Sequence, residues 1–93
     1  MHILLIQLSL HIPMSHSLKD KRRQIKSLKD RISQRFNAAV AEVGELDSWQ
    51  FAKLAICMLS NDKSWLDSQY SQIEALLLEY PELELQQIQR QWL

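Results

Sequence analysis

The sequence has few of the residues that break or cross-link a chain, with one glycine, two prolines and one cysteine among 93 residues. A single glycine excludes the glycine-rich loops that bind phosphates through backbone N–H groups, and it also excludes flexible linkers. Cys57 has no partner for an internal disulfide, which favours a reducing compartment such as the cytoplasm. We expect a single domain over residues 1–93, because domains typically contain about 100–150 residues.

Long hydrophobic runs are also missing, since no apolar stretch reaches the roughly 18–20 residues that cross a bilayer. The apolar start, from Ile3 to Ile12, has no basic flank and no small-residue cleavage site, and polar residues interrupt it. It therefore indicates a strand of the mature fold and not a signal peptide. We expect no membrane partner, while the 46% of hydrophobic residues suffices for a modest core.

The first third of the chain predicts a strand followed by a helix. Apolar side chains occupy every second position from Leu4 to Ile12, which is typical of a strand with one buried face. Pro13 ends this strand because proline has no N–H for the ladder, and Ser17 provides a helix N-cap. The predicted helix has about 18 residues. Its apolar positions follow mostly three- and four-residue spacing, at Leu18, Ile25, Leu28, Ile32 and Phe36.

The remaining residues predict a hairpin, a second helix and a last strand. Strands over 38–43 and 49–59 flank a polar turn that contains the single glycine. Capping side chains at 60–62 begin a helix that Pro81 ends. Apolar positions alternate at the start of 83–92 and then slip in phase, which indicates either a β-bulge or an early end to the strand pairing.

The predicted element order is therefore β-α-β-β-α-β. This order is typical of the α+β class, and in particular of the ferredoxin-like sandwich, an antiparallel sheet with two helices on one face.

Short motifs along the whole chain resemble the signature of the YlxP-like bacterial family. They are His11-Ile12-Pro13, Ser17 to Arg22, Ile25 to Lys29, Arg35-Phe36-Asn37, Val40 to Val43, Trp49-Gln50 and Ser60-Asn61-Asp62. The resemblance implies a ferredoxin-like fold and a family of unknown function. Genes of this family often neighbour those for transcription and translation factors. The resemblance therefore favours RNA or the ribosome as a partner. It implies no catalytic residues.

Opposite charges are concentrated in different parts of the neutral chain. The segment 19–35 holds eight basic residues against two acidic ones, a net charge of +6, whereas 36–93 holds three against nine, a net charge of −6. On a helical projection the basic side chains form a stripe beside the apolar face. We expect this stripe, with the helix N-terminus at Ser17, to bind the phosphates of RNA. The predicted site consists of Ser17, Lys19, Lys21, Arg22, Arg23, Lys26 and Lys29.

Two other interpretations of these residues remain open. The basic stripe can be a solvated helix face that is partly paired with acids such as Glu42 and Glu45, and such surface pairs contribute little to stability. The chain can also be a protein-interaction or scaffold module, a homodimer that associates through the uncovered face of its sheet. For that dimer we expect an interface that includes Leu5, Gln7, Phe51 and Lys53.

The sequence offers little support for catalysis. No paired carboxylates, nucleophile elbow or phosphate loop is recognisable. We therefore expect that the protein is not an enzyme and binds no cofactor and no small-molecule substrate. The three histidines match no zinc spacing, and we expect no metal. Among the three tryptophans, Trp92 is predicted to be the one most free to contact a partner.

Overall fold

The computed structural model describes all 93 residues and confirms the predicted element order. The elements are β1 (His2–His11), α1 (Leu18–Phe36), β2 (Ala39–Gly44), β3 (Phe51–Ser60), α2 (Lys63–Leu77) and β4 (Glu84–Trp92). The four strands form one antiparallel sheet in the order β2-β3-β1-β4. The fold is therefore the expected α+β sandwich of ferredoxin-like topology.

The core lies between one face of the sheet and the two helices. Even-numbered side chains from Leu4 to Leu10 in β1 and from Ala52 to Met58 in β3 are buried there, with Leu8 opposite Leu54 on the two central strands. Odd-numbered side chains, such as Gln7, lie on the opposite face, which no helix covers and which we call the open face. Nineteen apolar side chains form one buried cluster, so this single core stabilises the whole domain.

Side-chain caps fix where the helices begin. The Oγ atom of Ser17 accepts a hydrogen bond from the backbone N–H of Asp20 at 3.0 Å, and α1 ends at Asn37 in the left-handed conformation. Asp62 caps α2 by accepting from the N–H of Trp65 at 3.2 Å. The second helix ends at Leu77, earlier than predicted, because the chain tightens into turns ahead of Pro81.

The third strand also begins later than predicted, at Phe51 and not at Trp49. Residue Gln50 belongs to the hairpin loop, where its carbonyl accepts from the N–H of Ile12 at 2.7 Å and its side chain bonds to the β1–α1 loop. These bonds hold the loop at the end of the sheet without extending the ladder.

Both edge strands contain an irregularity, at neighbouring levels of the sheet. In β4, Leu85 pairs with Leu10 and Gln87 pairs with Ser9, so that Gln86 is an extra residue. In β2 the register with β3 shifts by one residue at Val43. The bulge that the phase slip predicts in the last strand is thus present, and a second one lies opposite it.

Candidate functional site

Most of the predicted cationic side chains lie together on the exposed side of α1. Lys19, Arg22, Arg23 and Lys26 are exposed, and Lys29 is half-buried. Their spacing places four of them in a line along one side of the helix, because residues three and four apart are neighbours on a helix surface. We call Lys19, Arg22, Arg23, Lys26 and Lys29 the basic face.

Lys21 is not part of this surface, so its assignment to the phosphate-binding site is wrong. The side chain is fully buried, and its ammonium donates to the carbonyl oxygens of Glu45 at 2.8 Å and Phe51 at 3.1 Å. The same ammonium lies 3.1 Å from a carboxylate oxygen of Glu42, a side chain that is only 15% exposed. All the charge of Lys21 is used within the fold.

The sequence contains a signal for this burial. The buried positions of α1 are Lys21, Ile25, Leu28, Ile32 and Phe36, a regular series with steps of four, three, four and four. Position 21 is therefore an inward position, although the residue there is charged.

The N-terminus of α1 does not offer the free anion site that was expected at Ser17. The Ser17 hydroxyl is occupied by the N–H of Asp20, and the Asp20 carboxylate in turn accepts from the N–H of His16 at 3.3 Å. Ser15 is buried and donates to the carbonyl of Ser17. A carboxylate of the chain thus already lies at the positive end of the helix, where it repels another anion.

The cations of the basic face differ in whether they have an internal partner. Arg23 pairs with Asp20 at 3.3 Å and Lys26 pairs with Asp30 at 2.6 Å, each within the helix. Lys19, Arg22 and Lys29 form no ion pair. The three unpaired charges are available to an external anion.

A groove runs between α1 and β2 beside these cations. It has a volume of about 410 Å³ and is lined by Arg22, Ile25, Lys26, Lys29, Asp30 and Glu42. The two carboxylates in the lining reduce its positive potential. Two of the unpaired cations, Arg22 and Lys29, therefore share the groove with two carboxylates, and Lys19 lies outside its lining.

Arg31, in the second half of α1, has a structural role. Arg31 donates to the carboxylate of Glu79 at 2.9 Å and lies over the ring of Tyr80, 5.7 Å from its centroid. The hydrogen bonds to Glu79 and Tyr80 raise the pKa of the Arg31 guanidinium above its usual value. Arg31 thus joins α1 to the segment before β4.

The residues predicted for self-association all lie on the open face, as the alternation indicated, but in two groups. Gln7 pairs with Ala55 and Leu5 pairs with Cys57, whereas Phe51 pairs with His11 at the far end of the same strands. Leu5 and Phe51 are therefore separated by six positions of the register.

The two ends of the open face differ in chemistry. At one end Ile3 is opposite Leu59, in the row next to Leu5 and Cys57, and Leu59 is 64% exposed. At the other end are Ser9 opposite Lys53, and the rings of His11 and Phe51 stacked at 4.7 Å beside Glu84. The apolar end consists of Ile3, Leu5, Cys57 and Leu59.

The prediction that Trp92 is the tryptophan most free to contact a partner is wrong. Trp92 is partly buried, and the ammonium of Lys63 lies 4.8 Å from its ring centroid. Trp49 is the most exposed of the three tryptophans, at 57%.

No group of three or more histidine, cysteine or acidic side chains is arranged to hold a metal ion. Neither helix combines the length and the apolar character that crossing a membrane requires.

These observations define a small α+β domain of ferredoxin-like topology with one basic helix face. The chain matches the model of a family described as protein of unknown function (DUF503) over residues 3–90, and it belongs to this family. It is 28% identical over 76 residues to the uncharacterized protein YlxP of Bacillus subtilis (strain 168). That alignment covers 82% of this chain and 83% of the relative.

Proposed function

We propose that this domain binds structured RNA, free or within the ribosome, through the basic face of α1. The observation that supports the proposal best is the row formed by Lys19, Arg22 and Lys29, three cations on one side of one helix with no internal partner. The row from Lys19 to Lys29 is about 15 Å long, from the helical rise of 1.5 Å per residue. Such a row suits the phosphates of a nucleic-acid backbone.

Local energetics disfavour this arrangement in the free protein. Cations in the first turn oppose the helix dipole, and like charges three or four residues apart repel one another. Only Asp20 and Asp30 offset them within the helix. A bound polyanion removes both penalties, which is why a partner explains the row better than a solvated surface does.

The mode of recognition follows from the side chains. Lysine and arginine side chains bind the phosphates of a nucleic-acid backbone without reading the base sequence. Because such binding releases counterions, the affinity falls steeply as the salt concentration rises. The proposal includes a cytoplasmic location, where structured RNA and ribosomes are found.

Neutralising the three unpaired cations is the sharpest test, because Lys19→Gln, Arg22→Gln and Lys29→Gln together break no internal ion pair. We expect at least a roughly tenfold loss of affinity for a structured RNA at low salt, and a salt slope reduced by about 2–3. Co-sedimentation with ribosomal subunits is expected to decrease in parallel. Filter binding and sedimentation measure these effects.

A control matched in charge is available, because Lys53, Lys63 and Arg90 are the only lysine and arginine residues outside α1, although Arg90 pairs with Asp67. Changing these three to glutamine alters the net charge equally and is expected to leave the affinity unchanged. Equal losses in both triple variants, or wild-type protein that binds no RNA, would overturn the proposal.

A second candidate function is that of a dimeric interaction or scaffold module. The observation that favours it is the apolar end of the open face, where uncovered apolar residues of β1 and β3 adjoin. The occupant that we propose is a second copy of the chain, whose identical apolar end provides a matching surface in a two-fold dimer.

A further inference from the structure

Trp49 lies in the hairpin loop between β2 and β3 as a large aromatic side chain without a partner. It is 57% exposed, its indole N–H makes no hydrogen bond, and no other ring or cation is stacked on it. The other two tryptophans, Trp65 and Trp92, are less exposed. Trp49 therefore presents a free aromatic surface to solvent.

The backbone on both sides of Trp49 is firmly held. The hydroxyl of Ser48 accepts from the N–H groups of Gln50 at 3.4 Å and Phe51 at 3.1 Å. The carbonyl of Gln50 accepts from the N–H of Ile12 at 2.7 Å. The backbone on either side of Trp49 is thus held before any ligand arrives, which reduces the backbone entropy lost on binding.

A second exposed side chain lies in the segment to which the residue after Trp49 is bonded. The side-chain amide of Gln50 donates to the carbonyls of Pro13 at 3.1 Å and Ser15 at 3.2 Å, the residues on either side of Met14. Met14 is 70% exposed. Its flexible thioether suits contact with a flat aromatic ligand.

The loop is also joined to the basic helix. The buried ammonium of Lys21 on α1 bonds to the carbonyls of Glu45 and Phe51, which are the residues at the two ends of the loop. The residue next to Lys21 is Arg22 of the basic face. Arg22 also lines the groove together with Glu42, three residues before Glu45, so the loop that carries Trp49 begins near this part of the basic face.

We propose that Trp49 stacks on an unpaired nucleobase of the RNA whose phosphates are bound by the basic face; this rests on the proposed function. Nucleobases of every kind have a flat π surface on which an indole stacks. The loop also carries Glu45 and Asp47, which repel phosphates. The cations of α1 and the acids of the loop thus direct the RNA backbone to α1, and the uncharged bases can approach the loop.

This assignment specifies the class of RNA. Bases in a duplex are already stacked and paired, whereas those in loops and single strands are free to stack on a protein side chain. The domain is therefore selective for RNA that offers an unpaired base beside a structured stem.

The experiment compares two RNA probes with equal numbers of phosphates. One is a hairpin with a loop of about eight nucleotides, which exposes several unpaired bases, and the other is a blunt duplex. We expect wild-type protein to bind the hairpin roughly fivefold or more tightly than the duplex. Trp49→Ala abolishes this preference and leaves duplex affinity unchanged, and Trp49→Phe retains part of it. Trp65→Ala, at a tryptophan that is 43% exposed on α2, serves as the matched control and retains the preference.

Intrinsic fluorescence provides a second readout that does not depend on affinity. Binding of the hairpin is expected to quench tryptophan emission in the wild type and in Trp65→Ala, and to leave it unquenched in Trp49→Phe. A wild type that binds both probes equally, or a Trp49→Ala variant that keeps the preference, overturns the stacking assignment while RNA binding stands. A wild type that binds neither probe overturns both.

Discussion

The ammonium nitrogen of Lys21 lies 2.8 Å from the carbonyl oxygen of Glu45, which is 24 positions further along the chain. With its bond to Phe51 and its contact with Glu42, this one side chain joins α1 to the end of β2 and the start of β3. A lysine within the most basic segment of the sequence is thus a structural residue and does not belong to the basic face.

Replacing Lys21 by methionine is expected to destabilise the fold strongly. Lys21→Met keeps much of the buried volume but leaves two carbonyls and the Glu42 carboxylate without a partner. Breaking a buried charged pair in this way lowers the free energy of unfolding by about 3 kcal/mol. Urea denaturation measures the loss, with Lys19→Met at an exposed position as the control, where a change within about 0.5 kcal/mol is expected. A loss under about 1 kcal/mol for Lys21→Met contradicts the structural role.

Removing the charge of Glu42, which has lost its partner in Lys21→Met, is expected to restore part of the stability. In the double variant Lys21→Met, Glu42→Gln, the second change replaces an unpaired carboxylate by a neutral amide. We expect the double variant to regain about 1–2 kcal/mol relative to Lys21→Met alone. Glu42→Gln by itself is expected to destabilise the wild type. If the effects of the two single changes simply add in urea denaturation, the two side chains are not coupled.

Periodicity predicted the burial pattern of α1 better than residue type did. The steps from Phe36 back through Ile32, Leu28 and Ile25 lead to position 21, where the structure places a buried side chain. The charge of Lys21 hides this continuation, because lysine is almost never fully buried without a partner. That partner, Glu42, lies on the inward side of an edge strand and becomes its neighbour only through the tertiary fold.

Ser17 is expected to affect stability and not RNA binding. Ser17→Ala removes the cap that accepts the N–H of Asp20, which lowers the free energy of unfolding by about 1 kcal/mol. Because the hydroxyl is already used inside the helix, affinity for RNA is expected to stay the same. Ser33→Ala, at an exposed position within α1, is the control and is neutral or slightly stabilising. A loss of RNA affinity in folded Ser17→Ala would show instead that the hydroxyl takes part in RNA binding.

Asp62 is expected to make stability depend on pH at acidic values. Hydrogen bonds from the Ser64 hydroxyl and the Trp65 N–H lower the pKa of the Asp62 carboxyl below its usual value of 3.8. A carboxyl whose pKa is lower in the folded state stabilises the fold above the unfolded pKa, and this contribution disappears as the pH falls through the folded pKa.

The matched comparison for this effect is Asp62→Asn, which retains a capping oxygen but does not titrate. The stability of the wild type relative to Asp62→Asn is expected to be constant between about pH 7 and pH 5, and to decrease below about pH 4. Thermal unfolding across this range measures the difference. A difference that does not change with pH contradicts a lowered pKa for Asp62.

The two ends of the open face are expected to differ in their effect on self-association. Leu59→Asp places a charge among the apolar residues next to Ile3, so it is expected to dissociate the dimer. Phe51→Asp changes the polar end, beside His11 and Glu84, and is expected to leave the dimer intact. Light scattering over a range of protein concentrations distinguishes these outcomes. A wild type that stays monomeric throughout, or a dimer that only Phe51→Asp dissociates, rules out this interface.

Alternation in the sequence was sufficient to place Leu5 and Phe51 on the same face of the sheet. It did not indicate their separation, because the register between β1 and β3 depends on pairing across the chain. The location of Trp49 was missed for a related reason. Its apolar neighbours resemble the start of a strand, whereas hydrogen bonds of Ser48 and Gln50 hold this segment in a loop.

The paired irregularities at Val43 and Gln86 determine how the sheet can meet another strand. A four-stranded open sheet has two edges with unsatisfied backbone groups, which readily add strands and polymerise. An extra residue in each edge strand increases the local twist and interrupts the straight run of donors and acceptors. Neither edge can therefore template a long continuous ladder, and growth of this domain into fibres through its strand edges is suppressed at both sides.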